Sequence, residues 1–307
     1  MSAAIRVEDL HVRYGEVHAV RGVSFDVQPG EVYGLLGHNG AGKTSTVEVL
    51  EGHRSAADGT VSVLGVEPRA GGRAFRDRIG IVLQSSSVDR ALSVREALVF
   101  YGGCYRTRRP VDEAIEMVGL TEKADARVGT LSGGQARRLD LALGIIGQPE
   151  LLFLDEPTTG FDPVARRQSW ELVKIMCQGG TTVLLTTHYL DEAEHLADRV
   201  GVMANGLLVA EGTPADLMAA IPDTTITFAV LSDLLGGLAI PADALVEHVS
   251  GTATVRIDTP HPTAVLAAIT SAAVAGGFEL DVLTVRKPTL EDVFLRIGSQ
   301  SAEGGAP

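Results

Sequence analysis

Gly37-His38-Asn39-Gly40-Ala41-Gly42-Lys43-Thr44 follows the apolar run Val32–Leu36 and leads into Ser45-Thr46-Val47-Glu48-Val49-Leu50-Glu51, and its reading decides the fold. The run is a strand. The helix that follows begins at Lys43, extends to Glu51 and is stopped by Gly52. Between them, the spacing G-x-x-x-x-G-K-[ST] predicts a phosphate loop. Glycines let successive backbone amides wrap a phosphate, and the helix adds the positive end of its dipole. Lys43 is expected to reach the β- and γ-phosphates. The Thr44 hydroxyl is expected on Mg²⁺, and Ser45 at the α-phosphate.

Outward from this loop, residues from Ile5 to about Ala220 alternate short apolar strands with amphipathic helices, the pattern of an α/β domain. Ser93-x-x-Glu96 is a capping box that opens a helix through about Tyr105. Residues 88–147 read mostly as helices, a lobe inserted in the α/β core. Leu151–Leu154 is apolar at every position, as in a strand buried on both faces, and ends on Asp155-Glu156. Asp162-Pro163 is an N-cap followed by proline at the first helical position, opening a helix towards Cys177. Thr182–Thr186 is a β-branched strand leading to His188, with a helix from about Leu190. Val200–Ala204, Asn205-Gly206 and Leu207–Ala210 predict a hairpin. The first domain is expected to span 1–221.

A small α+β domain is expected over 222–298. It contains strands at Thr224–Val230, Thr252–Ile257 and Leu280–Val285, a helix at Thr263–Val274 and a final amphipathic helix at Leu290–Ile297. Residues 299–307, rich in Gly, Ser and Ala, read as a disordered tail.

At 307 residues and 45% hydrophobic, the chain suits one large and one small domain. A formal net charge of -13 argues against a general nucleic-acid binder, which would carry a basic face. Cys104 and Cys177 have no metal-like spacing and fit a reducing compartment. The start Met1–Arg6 has no apolar run behind a basic head and does not read as a signal peptide. Thr259–Phe278 is uncharged, but prolines open it and Gly276-Gly277 close it, leaving a helix too short to span a membrane.

Two further groups carry chemistry. Adjacent carboxylates at a strand end, Asp155 and Glu156, are costly to desolvate unless given work, the alternative being a solvated strand end. Leu131-Ser132-Gly133-Gly134-Gln135 opens a helix. From residue types alone, Ser132-x-x-Gln135 is either a helix cap or a set of amides offered to an anion.

The order Gly37–Thr44, Leu131–Gln135, Leu151–Glu156 resembles the ATP-binding-cassette (ABC) ATPases, and the resemblance covers Ile5–Ala220. It implies a P-loop ATPase core that binds ATP and Mg²⁺. Asp155 would hold the metal, mainly through water, and Glu156 would act as general base. The signature Ser132, Gly133, Gly134 and Gln135 would meet the γ-phosphate of ATP held by a second copy, so two copies would form a head-to-tail homodimer. Gln84, after Ile79–Leu83, matches the glutamine loop that senses Mg²⁺ and touches the membrane subunit. His188 matches the switch histidine at the γ-phosphate, and Asp162 the loop that couples the two sites. Tyr14 sits where the family stacks an aromatic on adenine. His38 stands at a variable loop position and Phe161 replaces a more usual leucine. Neither removes a catalytic group.

Val88–Leu98, Thr158–Pro163 and the C-terminal Thr289–Leu295 resemble bacterial drug-exporter ATPases of the daunorubicin-resistance type. The last segment also reads simply as a capped helix packing Leu290, Phe294 and Ile297 on the small sheet. The exporter resemblance implies a separate multi-span permease and a place at the cytoplasmic face of a bacterial membrane. Importer ATPases and non-transport ABC ATPases of DNA repair or translation are the alternatives. The short gap from Gln84 to Leu131 leaves no room for the long coiled coil of repair proteins, and the single cassette differs from the translation type.

Overall fold

The computed structural model describes residues 2–82, 88–158, 161–221 and 224–294. It divides into two compact units, Met1–Pro214 and Ala215–Pro307.

The first unit begins with strands β1 (Ile5–Tyr14) and β2 (Val17–Val27), β3 (Val32–Gly37) and helix α1 (Lys43–Leu50). There follow β4 (Asp58–Val63), α2 (Gly72–Arg76) and β5 (Ile79–Val82). The helical stretch holds α3 (Val94–Gly102), α4 (Val111–Met117) and α5 (Gly133–Ile145). The chain then returns through β6 (Leu151–Asp155), α6 (Pro163–Gln178), β7 (Thr182–Thr187), α7 (Leu190–Leu196), β8 (Arg199–Ala204) and β9 (Leu207–Gly212).

Two sheets result. β2-β1-β4 is antiparallel, and β5-β6-β7-β3-β8-β9 is parallel except for its last strand. Period-2 alternation splits the large sheet's side chains between two cores. Leu151 and Phe153 pack with Ile5, Val7, Phe25 and Leu35 against the small sheet. Leu152 and Leu154 pack on the other face with Leu98, Ile115, Leu139 and Ile145 from α3, α4 and α5. That two-sided burial explains the unbroken apolar runs of β3 and β6. At the sheet's edge β9 alternates in exposure and returns antiparallel through Asn205-Gly206, whose φ angles of 51° and 80° are those of the tight turn such a pair favours.

The capping box of Ser93 and Glu96 is formed in full, and Asp162 caps α6 by accepting from the amides of Val164 and Ala165, both at 2.9 Å. Helix α8 (Pro214–Ala219) follows β9.

The second unit holds β10 (Thr224–Leu231), β11 (Leu245–Val249), β12 (Thr252–Thr259), α9 (Pro262–Gly276) and β13 (Asp281–Arg286), in an antiparallel sheet ordered β11-β12-β10-β13. Ile226, Phe228 and Val230 alternate with outward positions and join Val255, Ile257 and Ile269 in its core. β11 is an additional strand that the sequence pattern does not announce. Every one of its residues is exposed, and it is held by backbone pairing to β12. Residues 290–294 are helical, with Leu290 and Val293 buried. Leu295, Ile297 and the tail 299–307 lie outside the described residues. Among those described, no helix is long and apolar enough to cross a membrane.

Phe153 is 1% exposed on an inner strand of the sheet, so Phe153→Ala should lower unfolding free energy by about 3–5 kcal/mol. Urea denaturation followed by tryptophan fluorescence measures it; a loss below about 1 kcal/mol would contradict this placement of the core.

Candidate nucleotide site

Parallel register makes the site. Leu36 stands opposite Thr187, and Asp155 opposite Thr186, so β3, β7 and β6 end along one line. Their C-terminal ends deliver the phosphate loop, His188 and the Asp155-Glu156 pair to a single cleft of about 990 Å³. Ligands of open parallel sheets bind at such ends.

The loop's shape depends on its glycines. Gly42 has φ 104°, and a Cβ there would meet the Ala19 carbonyl at 2.6 Å. A Cβ on Gly37 would meet the Met203 carbonyl at 2.6 Å. Gly40, with φ 84°, completes the turn. The β8–β9 turn braces the loop from outside. The Gly206 amide donates to the Ala41 carbonyl at 3.1 Å, and the Arg21 amide donates to the Gly206 carbonyl at 2.8 Å.

Lys43 is buried, and its ammonium donates to the carbonyls of Gly37 (2.6 Å) and His38 (3.3 Å). Burial holds its pKa below the ordinary lysine value, while the charges of Glu156 and Asp155 oppose that shift. Thr44 is exposed on the cleft wall beside Ser45.

Asp155 accepts a hydrogen bond from the Thr186 hydroxyl at 2.5 Å. Glu156 has φ 47°, a left-handed conformation unusual for glutamate. Its amide donates to the Thr186 carbonyl at 3.0 Å, and its carboxylate meets His188 Nδ1 at 2.9 Å. Tyr14 lies on the cleft wall. Its hydroxyl is 3.0 Å from Ser45 Oγ and donates to Glu48 at 3.3 Å. The Arg54 guanidinium covers one face of its ring at 4.2 Å, held by an ion pair with Glu48 at 2.7 Å.

The structure therefore brings Tyr14, Asn39, Gly40, Gly42, Lys43, Thr44, Ser45, Asp155, Glu156 and His188 to one cleft, with Gly37, His38 and Ala41 in the same loop. Ser132, Gly133, Gly134, Gln135 and Asp162 are not among the residues lining it. Ser132 and Gln135 form a reciprocal capping box at the start of α5 (3.3 and 3.0 Å). Gln84 lies outside the described residues. His18, Arg21, Asn205 and Gly206 also line the cleft. Nothing in their local sequence announces this, because they arrive from β2 and from the β8–β9 turn.

A phosphate loop on a parallel sheet, with a lysine, a hydroxyl and two carboxylates converging, defines a P-loop nucleotide-binding protein. The ABC transporter family model matches residues 20–159. The daunorubicin resistance ATP-binding protein DrrA2 of Streptomyces coeruleorubidus is 37% identical over 98% of this chain and 96% of its own length. The Nod factor export ATP-binding protein I of Rhizobium meliloti (strain 1021) is 39% identical over 96% of this chain and 88% of its own. Among solved structures, cbiO1 from Clostridium perfringens, part of the ABC transporter complex cbiONQ, superposes with TM-score 0.64 at 29% identity, covering 71% of this chain and 92% of that one. The chain belongs to the ATP-binding subunits of ABC transporters, and is similar over nearly its whole length to those of the daunorubicin-resistance and Nod factor export type. It is an ATPase whose hydrolysis is coupled to transport.

One buried acid near this site titrates in an unusual range. Glu51, at the end of α1, is pushed up to about 8 by burial, with Asp155 and Glu48 adding repulsion; His53 Nδ1 lies 3.1 Å from its carboxylate. A folded-state pKa above the unfolded value means that stability is fully present below the unfolded pKa and is lost as pH rises through about 8. Glu51→Gln should therefore flatten the fall in melting temperature between pH 5 and pH 9 and raise it at the alkaline end. An unchanged slope in the variant would show that Glu51 is not the group responsible.

Proposed function

We propose that the chain is the motor of an exporter, in which two copies close on two ATP molecules and drive a separate membrane-spanning subunit. The observation that carries this reading is the split of the motifs. The cleft gathers the phosphate loop, Asp155, Glu156 and His188, whereas the signature stands apart from it.

Gly133 and Gly134 support the same reading. Neither has positive φ, and a Cβ on either would meet nothing within 4 Å in this chain. Internal packing gives no reason for glycine there. Bare amides at the start of α5 suit the γ-phosphate of a nucleotide held by another copy. In such a pair Asp162, at the start of α6, would link the two sites, and Gln84 would face the permease.

Within one site, Lys43 and the loop amides would hold the phosphates and stabilise the transferring group. The Asp155 carboxylate and Thr44 hydroxyl are hard oxygen donors of the kind Mg²⁺ takes alongside phosphates, and bound Mg²⁺ would neutralise developing charge there. Glu156 would accept the proton of the attacking water, with His188 orienting its carboxylate. Tyr14 would stack on adenine with the ring face opposite Arg54.

The relatives' names, daunorubicin resistance and Nod factor export, support a drug-like or lipophilic cargo. The reading places the chain at the cytoplasmic face of a membrane, with residues 222–298 as an accessory domain and no nucleic-acid partner. Importer and non-transport roles have no specific feature in their favour.

Glu156→Gln should bind ATP without consuming it and accumulate as a dimer with ATP, returning to monomer with ADP, which lacks the bridging phosphate. Adding Ser132→Arg should leave ATP binding intact and keep the protein monomeric. Lys43→Ala should lose turnover, and gel filtration with parallel nucleotide titration separates these cases. An ATP-dependent dimer that survives Ser132→Arg would reduce the signature to a helix cap.

A further inference from the structure

We propose that Arg137 is a positioning residue that holds Glu156 in its working conformation and ties it to the helix carrying the signature. This rests on the assignment of Glu156 as general base made above.

Arg137 lies on α5, two residues beyond Gln135, and is 6% exposed. Its guanidinium does not turn to solvent. Nε donates to the Pro157 carbonyl at 3.1 Å, and Nη2 donates to the carbonyls of Asp155 and Glu156, both at 3.0 Å. Asp140, one turn along the helix, lies 3.7 Å from Nη1 and offsets the buried charge.

Three successive carbonyls aimed at one group are incompatible with an extended strand, where successive peptide groups face opposite ways. The chain must curl immediately after β6, and Glu156 is the residue that curls, with φ 47°. That conformation is unfavourable for any residue with a Cβ, so something must over-determine it. The planar fork of a guanidinium, with five donors in fixed geometry, does so. A lysine ammonium offers three rotatable donors at a single point and cannot reproduce the fork. The curl turns the Glu156 carboxylate towards His188 Nδ1 at 2.9 Å.

The connection runs within one chain. Ser132–Gly134 open the same helix that presents Arg137. A small rotation of α5 when the signature meets an anion is therefore delivered to the backbone under the chain's own general base. Each copy would adjust its own Glu156 by what its signature senses in the other site.

The test uses the full chain, with ATP turnover and thermal melting measured on Arg137→Lys, Arg137→Met, Glu156→Gln and the Arg137→Met/Glu156→Gln double variant. Arg137→Met should lower kcat on the order of a hundredfold, the loss expected from misplacing a reacting group by about 1 Å, while KM for ATP stays within about threefold. Arg137→Lys should restore much of the melting temperature but little of kcat. The double variant should be no slower than Glu156→Gln alone, because the two residues act on one step. Wild-type kcat in Arg137→Met would overturn the proposal, as would losses of kcat that track melting temperature across the variants. If Glu156→Gln itself turned over at the wild-type rate, the fault would lie in the base assignment, and the proposal would fall with it.

Discussion

Parallel pairing of β6, β7 and β3 is the constraint on which the rest depends. Adjacent parallel strands share a direction, so their carboxyl ends meet at one edge. Evenly spaced ladder bonds then set which residues stand level. With Leu36 beside Thr187 and Asp155 beside Thr186, an imidazole and two carboxylates meet a cation that lies more than a hundred positions earlier in the chain. The apolar cores on both sheet faces keep that register, since a slip of one residue would reverse every side chain.

Burial around this edge comes at a cost to the fold. Lys43, Glu51 and Arg137 are all nearly out of solvent, and none would be stable there without neighbours. Lys43 leans on loop carbonyls, Arg137 on the carbonyls after β6, and Glu51 tends to stay protonated in neutral solution. Lys43, desolvated in advance on the cleft wall, interacts strongly with an incoming phosphate, because less water must be stripped when it arrives. The same desolvation weakens the empty protein, a trade between activity and stability that recurs at functional sites.

Much of this was legible in the sequence because local rules and tertiary demands agree. The glycine loop, the caps at Ser93, Ser132 and Asp162, the Asn205-Gly206 turn and the apolar runs of β3 and β6 each carry a signal within a few residues. β11 escaped notice because an edge strand exposed at every position has no burial pattern to read. His18, Arg21 and Asn205 at the cleft were not legible either, since their place there is set by how β2 and the last hairpin fold over the loop. Arg137 is invisible for another reason. On a helix after a capping box, an arginine reads as a solvated charge, and only the curl at Glu156 turns it inward.

The bracing of the phosphate loop by Gly206 and Met203 has a consequence for biogenesis. The loop is made early, yet the groups that shape its outer wall lie more than 150 residues later in the chain. A nascent polypeptide emerging from the ribosome at about 5–20 residues per second therefore spends roughly ten seconds or more with an unfinished loop. Partial chains released before the β8–β9 turn would carry the phosphate-loop sequence without the groups that brace its outer wall.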